Sequence, residues 1–194
     1  LYPLLAAWGV NTVIVVGAWT DDCIASTLFE GFDRYGLDMI LVKDAVATAK
    51  ELLDDLGDRL VLPQDALCAQ KLESGQETKV FPADRIPEGW MGLDIGPGTQ
   101  ARFAERIAGA RTVIWNGPMG VFEWERFRAG TDQVARALTD HPGFTVVGGG
   151  DSVAALRMLG LEEEVSHLST GGGAGLEMLE GAQLPGVEVL KRWK

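Results

Sequence analysis

Three glycine-rich turns carry the residues best suited to chemistry, and each follows an apolar run. They read WNGPMGVFE (115–123), VVGGGDS (146–152) and HLSTGGGAG (167–175). Glycine lets a phosphate approach the backbone, and a helix that starts in such a turn offers free N–H groups to an anion. Asp151 adds a carboxylate that could hold Mg²⁺ there. A single turn of this kind is most simply a tight connection, but three of them favour a phosphate or nucleotide site.

A second reactive residue, Cys23, lies in VVGAWTDDCIAS (15–26), in the first turn of the helix predicted after an apolar run. The helix dipole favours a thiolate at that position by about 0.3–1 kcal/mol. The neighbouring carboxylates of Asp21 and Asp22 oppose its ionisation. We therefore expect Cys23 to be an inert packed cysteine. Cys68 is expected to be structural, and His141, which precedes a Pro-Gly turn, is expected to be solvated.

The composition of the chain excludes several classes of partner. The 194 residues are 46% hydrophobic and carry a formal net charge of −11, with no basic run, which argues against nucleic acid and anionic membranes. Two cysteines make no disulfide framework, so a reducing cytoplasm is expected. No apolar run approaches the ~20 residues that span a bilayer. The chain begins with LYPLLAAWGV and no methionine, so we expect either a segment of something longer or a recombinant product.

Apolar runs alternate with amphipathic stretches along most of the chain. Strands are predicted at 12–17, 38–42, 59–63, 111–117 and 144–150, and helices at 21–35, 45–56, 100–108, 132–140 and 151–160. Residues 165–181 predict a short strand, a glycine turn and a last helix, and 66–97 predict a small antiparallel excursion. The pattern indicates a single α/β domain over 1–194 with a three-layer, doubly wound, Rossmann-like fold. Its mostly parallel sheet should have five to six strands.

Four long motifs, in this order, resemble the C-terminal, nucleotide-binding domain of phosphoglycerate kinase, from about Lys50 to the end of the chain. They are GWMGLDIGPGT, TVIWNGPMGVFEWERFRAGT, VVGGGDSVAAL and VSHLSTGGGAGLEMLEGAQLPGVEVL. The resemblance implies Mg-ADP or Mg-ATP as the ligand, with Asp151 beside the magnesium. It places adenine at Gly92 and Leu93. Asn116, Pro118 and Val121 would lie along the nucleotide, and Glu123 would accept from the ribose hydroxyls. The phosphates would lie at Gly149, Gly150, Asp151 and Ser152. The transferred phosphoryl group would lie at Gly171, Gly172 and Gly173.

The first 48 residues do not resemble that family, because they lack a GGAKVSDK-like lysine loop. Their GAWTDDC turn (17–23), the helix after it and a strand that ends in KDAVAT resemble isochorismatase-like cysteine hydrolases, which include nicotinamidases. In that family the thiol works with an aspartate and a lysine from earlier strands, and this sequence does not contain them. The resemblance therefore implies at most a vestigial site at Cys23 and Asp21.

Two active-site halves that meet at 44–50 suggest a designed or recombined chimera, with fragments 1–48 and 49–194. We expect such a protein to be no enzyme and to bind Mg-ADP or Mg-ATP weakly at most, since one lost lysine–phosphate contact costs about 1.5–3 kcal/mol. One alternative is a cysteine hydrolase of small amides that uses Cys23, and another is a purely structural protein. A transplanted unit could leave a sheet edge uncovered, so self-association is a further expectation.

Overall fold

The structure is a computed structural model that describes residues 12–16, 38–42, 60–73, 75–179 and 183–191. Within those residues the strands are β1 (Thr12–Val16), β2 (Asp38–Val42), β3 (Leu60–Val61), β4 (Asp65–Ala69), β5 (Thr78–Pro82), β6 (Met91–Ile95), β7 (Thr112–Asn116), β8 (Phe144–Gly148) and β9 (His167–Ser169). The α-helices are α1 (Pro97–Ala108), α2 (Ala129–Thr139), α3 (Gly150–Leu159), α4 (Gly172–Leu179) and α5 (Pro185–Lys191). Single turns of 3₁₀ helix lie at Glu125–Phe127 and Glu162–Glu164.

The larger sheet is parallel throughout its described strands, in the order β3-β2-β1-β7-β8-β9. Sequence order runs outward in both directions from the β1/β7 pair, as in doubly wound dinucleotide-binding folds. Ligands of such folds bind beyond the carboxyl ends of the strands at the point where the order reverses. The predicted Rossmann-like α/β fold is confirmed, and its parallel sheet has six described strands.

The strand β7 shows why these runs become central strands. Its residues from Thr112 to Trp115 are all buried. A parallel strand covered on both faces needs such a continuous apolar or small run, rather than an alternating one. The parallel strands were therefore predictable from short windows of sequence.

Helices α1 and α2 both begin three residues before their predicted starts, and a carboxylate from a distant strand explains each case. Helix α1 begins at Pro97, which lacks only an N–H that a first helical position cannot use. The carboxylate of Asp65 accepts from the Gly98 N–H (3.0 Å) and the Thr99 N–H (2.7 Å). Helix α2 begins at Ala129, and Asp94 accepts there from the Gly130 N–H (2.8 Å). Neither capping residue adjoins its helix in sequence, so local patterns do not reveal it. Helix α5 was not predicted.

The main core lies between the parallel sheet and its helices. Its largest fully buried side chains include Trp115, Phe103, Ile107, Leu138 and Leu156. Their burial on one side of α1, α2 and α3 holds these helices against β7 and β8. Among the helices of the described residues, none combines the length and the apolar character that crossing a membrane requires.

The predicted antiparallel excursion forms a separate sheet. Its strands lie in the order β5-β4-β6. One small cluster joins it to the segment after β7: Ala69, Leu93 and Phe127 are buried together, with Val121 and Trp124 packed against them. The small sheet is therefore attached to the segment that carries a predicted site.

The prediction of a solvated His141 is wrong. Its side chain is 8% exposed and connects the ends of two loops at the amino-terminal edge of the parallel sheet. The Gly143 N–H donates to Nδ1 (3.0 Å), so Nε2 carries the proton and donates to the Ala110 carbonyl (3.0 Å). A local Pro-Gly signal indicates a turn but not what fills it.

Replacing Asp65 with alanine should lower the free energy of unfolding by about 1–3 kcal/mol, because two N–H groups of α1 lose their acceptor. Urea unfolding measures the change. Asp84→Ala is the matched control: Asp84 is exposed and pairs with its neighbour Arg85, so its loss should stay within about 0.5 kcal/mol. Equal losses in the two variants would show that the cap of α1 is not what stabilises it.

Candidate functional site

The site is built on the carboxyl ends of β7, β8 and β9. Asn116 lies opposite Gly148, and Gly148 lies opposite Ser169, so one row of residues crosses the three strands. We call this row, with the turns that follow it, the carboxyl edge. Asn116 also pairs with Val15 of β1, so it lies where the strand order reverses. We call this place the switch point.

The turns after β8 and β9 are held against each other and against Asn116. The Gly149 N–H donates to the Ser169 carbonyl (2.9 Å). A Cβ on Gly172 would lie 2.6 Å from the Gly149 Cα and 3.1 Å from Asn116 Oδ1. A Cβ on Gly149, whose φ is +93°, would lie 2.6 Å from the same oxygen. Glycine is therefore required at both positions, and it brings three segments of chain together.

A buried hydroxyl connects the third turn to the same place. The Gly117 N–H donates to Ser152 Oγ (2.6 Å), and Ser152 is fully buried in the first turn of α3. Gly117 has a φ of +97°, which a residue with a Cβ rarely adopts. This hydrogen bond therefore holds the start of the turn after β7 against the first turn of α3.

The outer surface of the carboxyl edge is open and has exposed backbone. A Cβ on Gly150 or on Gly173 would meet nothing within 4 Å. Asp151, between Gly150 and Ser152, is exposed in the first turn of α3. A helix start with bare glycines can receive an anion, and its partial positive charge favours one. Seven of the predicted residues are together here: Gly149, Gly150, Asp151, Ser152, Gly171, Gly172 and Gly173.

The loop of residues 117–124, here the bridging loop, links the carboxyl edge to the small sheet. The Met119 N–H donates to Thr131 Oγ1 (3.1 Å), and the Val121 N–H donates to the Leu93 carbonyl (2.9 Å). Gly92 is exposed beside the buried Leu93. The Val121–Leu93 bond brings the loop beside Gly92 and Leu93, and within the loop Pro118 and Val121 are half-buried and Glu123 is exposed.

Sequence reasoning missed Asp94, which lies behind the bridging loop. It is 4% exposed, and its oxygens accept from the Gly130 N–H (2.8 Å) and the Ile95 N–H (2.9 Å). Burial raises the pKa of Asp94 to about 6, and the two N–H groups oppose that rise. A carboxylate within the otherwise apolar strand MGLDI was the available signal.

The cysteine and metal predictions meet the structure only in part. Cys23 and Asp21 lie outside the described residues. Cys68 is fully buried, and desolvation raises the pKa of its thiol, which suits a packing role. In the part of the chain that the structure describes, no group of three or more His, Cys, Asp or Glu side chains could hold a metal. Asp151 thus belongs to no such group among the described residues, and a metal there would need oxygens from a ligand.

Comparisons with known proteins agree with this geometry. A profile of the family described as phosphoglycerate kinase matches residues 9–182. Curated relatives named phosphoglycerate kinase include one from Rubrobacter xylanophilus, 56% identical over 147 residues (76% of this chain, 38% of the relative). Another, from Deinococcus radiodurans, is 55% identical over 146 residues (74% and 36%). The chain thus spans less than two-fifths of the length of these relatives.

Solved structures give the same likeness over most of the chain. Phosphoglycerate kinase from Coxiella burnetii superposes with a TM-score of 0.83 at 30% identity, over 93% of this chain and 52% of that one. The enzyme from Pyrococcus horikoshii superposes with a TM-score of 0.80 at 27% identity, over 93% and 51%.

These findings correct the two-fragment interpretation. The match to one family begins at residue 9, well before the supposed seam at 44–50. Nothing supports an isochorismatase-like fragment, because a strand-helix-strand unit with a glycine turn is common to many parallel sheets. The expectation of a recombined protein that is no enzyme is also wrong, since relatives 54–56% identical are named as an enzyme. A single domain over 1–194 and self-association stay predictions.

Two adjacent glycines of α4 should respond in opposite ways to the same substitution. Gly173→Ala should stabilise the protein by up to about 1 kcal/mol, because alanine is the better helix former and its Cβ meets open space. Gly172→Ala should destabilise it by about 1–3 kcal/mol, because its Cβ overlaps Gly149. Thermal and urea unfolding measure both. A stabilising Gly172→Ala would mean that the two turns are not in contact.

The stability of the protein should carry a pH-dependent contribution from Asp94. Its pKa of about 6 lies above the ordinary value of 3.8, so the contribution is fully present below about pH 4 and is lost as pH rises through 6. Relative to Asp94→Asn, the wild type should lose about 3 kcal/mol between about pH 4 and pH 7. Urea unfolding of both proteins across that range gives the difference. A difference that does not change with pH would contradict the burial of this carboxylate.

Proposed function

The chain belongs to the phosphoglycerate kinase family, and from that premise we propose that it binds Mg-ADP or Mg-ATP at the carboxyl edge. In the reaction of the family, a phosphoryl group passes from 1,3-bisphosphoglycerate to ADP, which gives ATP and leaves 3-phosphoglycerate. The observation that carries the proposal is the meeting of Asn116, Gly149 and Gly172 at the switch point of the sheet, beside two open glycine-rich helix starts.

The shape of the site supports one orientation of the nucleotide. Its open helix starts, at 149–152 and 171–173, suit the phosphates, because bare backbone can approach phosphate oxygens there. The bridging loop leads away from these helix starts, and Asn116, Pro118 and Val121 would lie along the nucleotide. The exposed carboxylate of Glu123 suits acceptance from the ribose hydroxyls. Adenine then lies against Gly92 and Leu93, next to an apolar cluster.

The donor chemistry of the site fits a magnesium ion that arrives with the phosphates. Mg²⁺ is typically held by one or two carboxylates together with phosphate oxygens and water. Asp151 is exposed at the start of α3, and the open position at Gly150 leaves room beside it. When bound, the ion neutralises phosphate charge. Asp151 would hold it, and Gly149 and Ser152 fix the backbone on either side.

The contribution of this chain to the reaction is positioning. Phosphoryl transfer depends on holding the two reacting oxygens in line and on stabilising charge, with little covalent chemistry by the protein. The packed glycines fix the distance between the turns after β8 and β9, so the donors on α3 and α4 stay in one arrangement. We assign the part of the site that holds the glycerate substrate to the remaining length of the family's proteins.

Titration with Mg-ADP should produce saturable chemical-shift changes centred on Gly92, Glu123 and Asp151. Asp151→Asn should weaken binding roughly tenfold when Mg²⁺ is present and change it little in EDTA, because a charged contact is worth about 1.5–3 kcal/mol. Asp140→Asn is the control with the same charge change, since Asp140 is exposed at the far end of α2. It should bind like the wild type.

Two results would count against the proposal. One is the absence of saturation up to roughly 10 mM Mg-ADP in a folded sample, tenfold above a ~1 mM Kd. The other is an equal effect of Asp140→Asn and Asp151→Asn, which would indicate net charge instead of a metal ligand.

A further inference from the structure

The buried carboxylate of Asp94 contacts the elements on both sides of the bridging loop. One of its oxygens accepts from the Gly130 N–H at the start of α2, and the other accepts from the Ile95 N–H of its own strand. It is the charged side chain that ties β6 to α2. It makes no contribution to the nucleotide site as described above.

The bridging loop is attached to both elements that Asp94 joins. Its Val121 N–H donates to the carbonyl of Leu93, the residue before Asp94. Its Met119 N–H donates to Thr131 Oγ1, one residue after Gly130. The spacing between β6 and α2 therefore sets where the loop lies, and Asp94 sets that spacing.

Two glycines show that this arrangement has no slack. A Cβ on Gly120 would lie 2.6 Å from Asp94 Oδ1 and 2.6 Å from the Leu93 carbonyl oxygen. A Cβ on Gly130 would lie 2.3 Å from the same carboxylate oxygen. The bridging loop and the start of α2 thus both approach the Asp94 carboxylate closely. A change at Asp94 is therefore expected to move one of these two segments.

We propose that Asp94 is a positioning residue for the nucleoside half of the nucleotide: it holds the bridging loop so that Val121 and Glu123 meet adenine and ribose. This inference rests on the proposed nucleotide site. The phosphate half depends on other contacts, because the turns after β8 and β9 are held by Asn116, Gly149 and Gly172. Asp94 should therefore affect the two halves of the nucleotide unequally.

The test compares two probes on the same chain by calorimetry: Mg-ADP, which uses both halves of the site, and Mg-pyrophosphate, which uses the phosphate half alone. Asp94→Asn keeps the shape of the side chain but puts an NH₂ group against one of the two N–H donors. We expect its affinity for Mg-ADP to fall by at least about fivefold, the lower end of typical coupling between sites. Its affinity for Mg-pyrophosphate should stay within about twofold.

Asp65→Asn is the matched control, because Asp65 also accepts from two N–H groups at a helix start but does not contact the bridging loop in the described structure. It should destabilise the protein and leave both affinities unchanged. Unchanged Mg-ADP affinity in Asp94→Asn would overturn the proposal. So would an equal fall for both probes, since that would be the result of a merely structural role.

Two further measurements keep the test decisive if Asp94→Asn does not fold. Gly120→Ala leaves the carboxylate in place and displaces the loop, so it should show the same selective loss. In the wild type, Mg-ADP should slow hydrogen exchange of the Gly130 amide more than Mg-pyrophosphate does, because coupling is reciprocal. Equal protection by the two probes would overturn the proposal. A folded wild type that binds neither probe would instead contradict the nucleotide site itself.

Discussion

The close approach of Gly172 to Gly149 and Asn116 is the contact on which the site depends. At 2.6 Å from the Gly149 Cα, the position of a Gly172 Cβ is one that a side chain cannot occupy. The contact fixes the turns after β8 and β9 relative to β7. The ends of the three strands therefore form one surface. The contact is made of backbone and one amide side chain.

Two distant carboxylates extend that rigidity from the parallel sheet to the small antiparallel sheet. Asp65 of β4 caps α1 and Asp94 of β6 caps α2, so two of the three strands of the excursion are tied to a helix of the main core. The bridging loop is hydrogen-bonded to β6 and to α2, the two elements that Asp94 joins. A loop held from both sides can present Val121 and Glu123 at a constant distance from the carboxyl edge, and preorganisation of this kind lowers the entropic cost of binding a nucleotide.

The strands and the meeting of the glycine turns at one edge could be predicted from short windows of sequence, but the connections between distant residues could not. The strand β7 is a continuous buried run, and the predicted residues from Gly149 to Ser152 do lie together with those from Gly171 to Gly173. The starts of α1 and α2 were misplaced because their caps lie 33 to 36 residues away. Asp94 was missed because motif resemblance points to ligand contacts, and this residue works behind them. The chimera interpretation failed because one strand-helix-strand unit is too common to identify a family.

On this view the contact between the turns after β8 and β9 creates a phosphate site at the carboxyl edge. A crystal structure of the chain soaked with Mg-ADP tests it most directly. Phosphate oxygens should lie within about 3.2 Å of backbone nitrogens in 149–152 or 171–173, with adenine beside Gly92 and Leu93. Nucleotide density at the opposite edge, near His141, or phosphates that point away from both glycine turns, would contradict it.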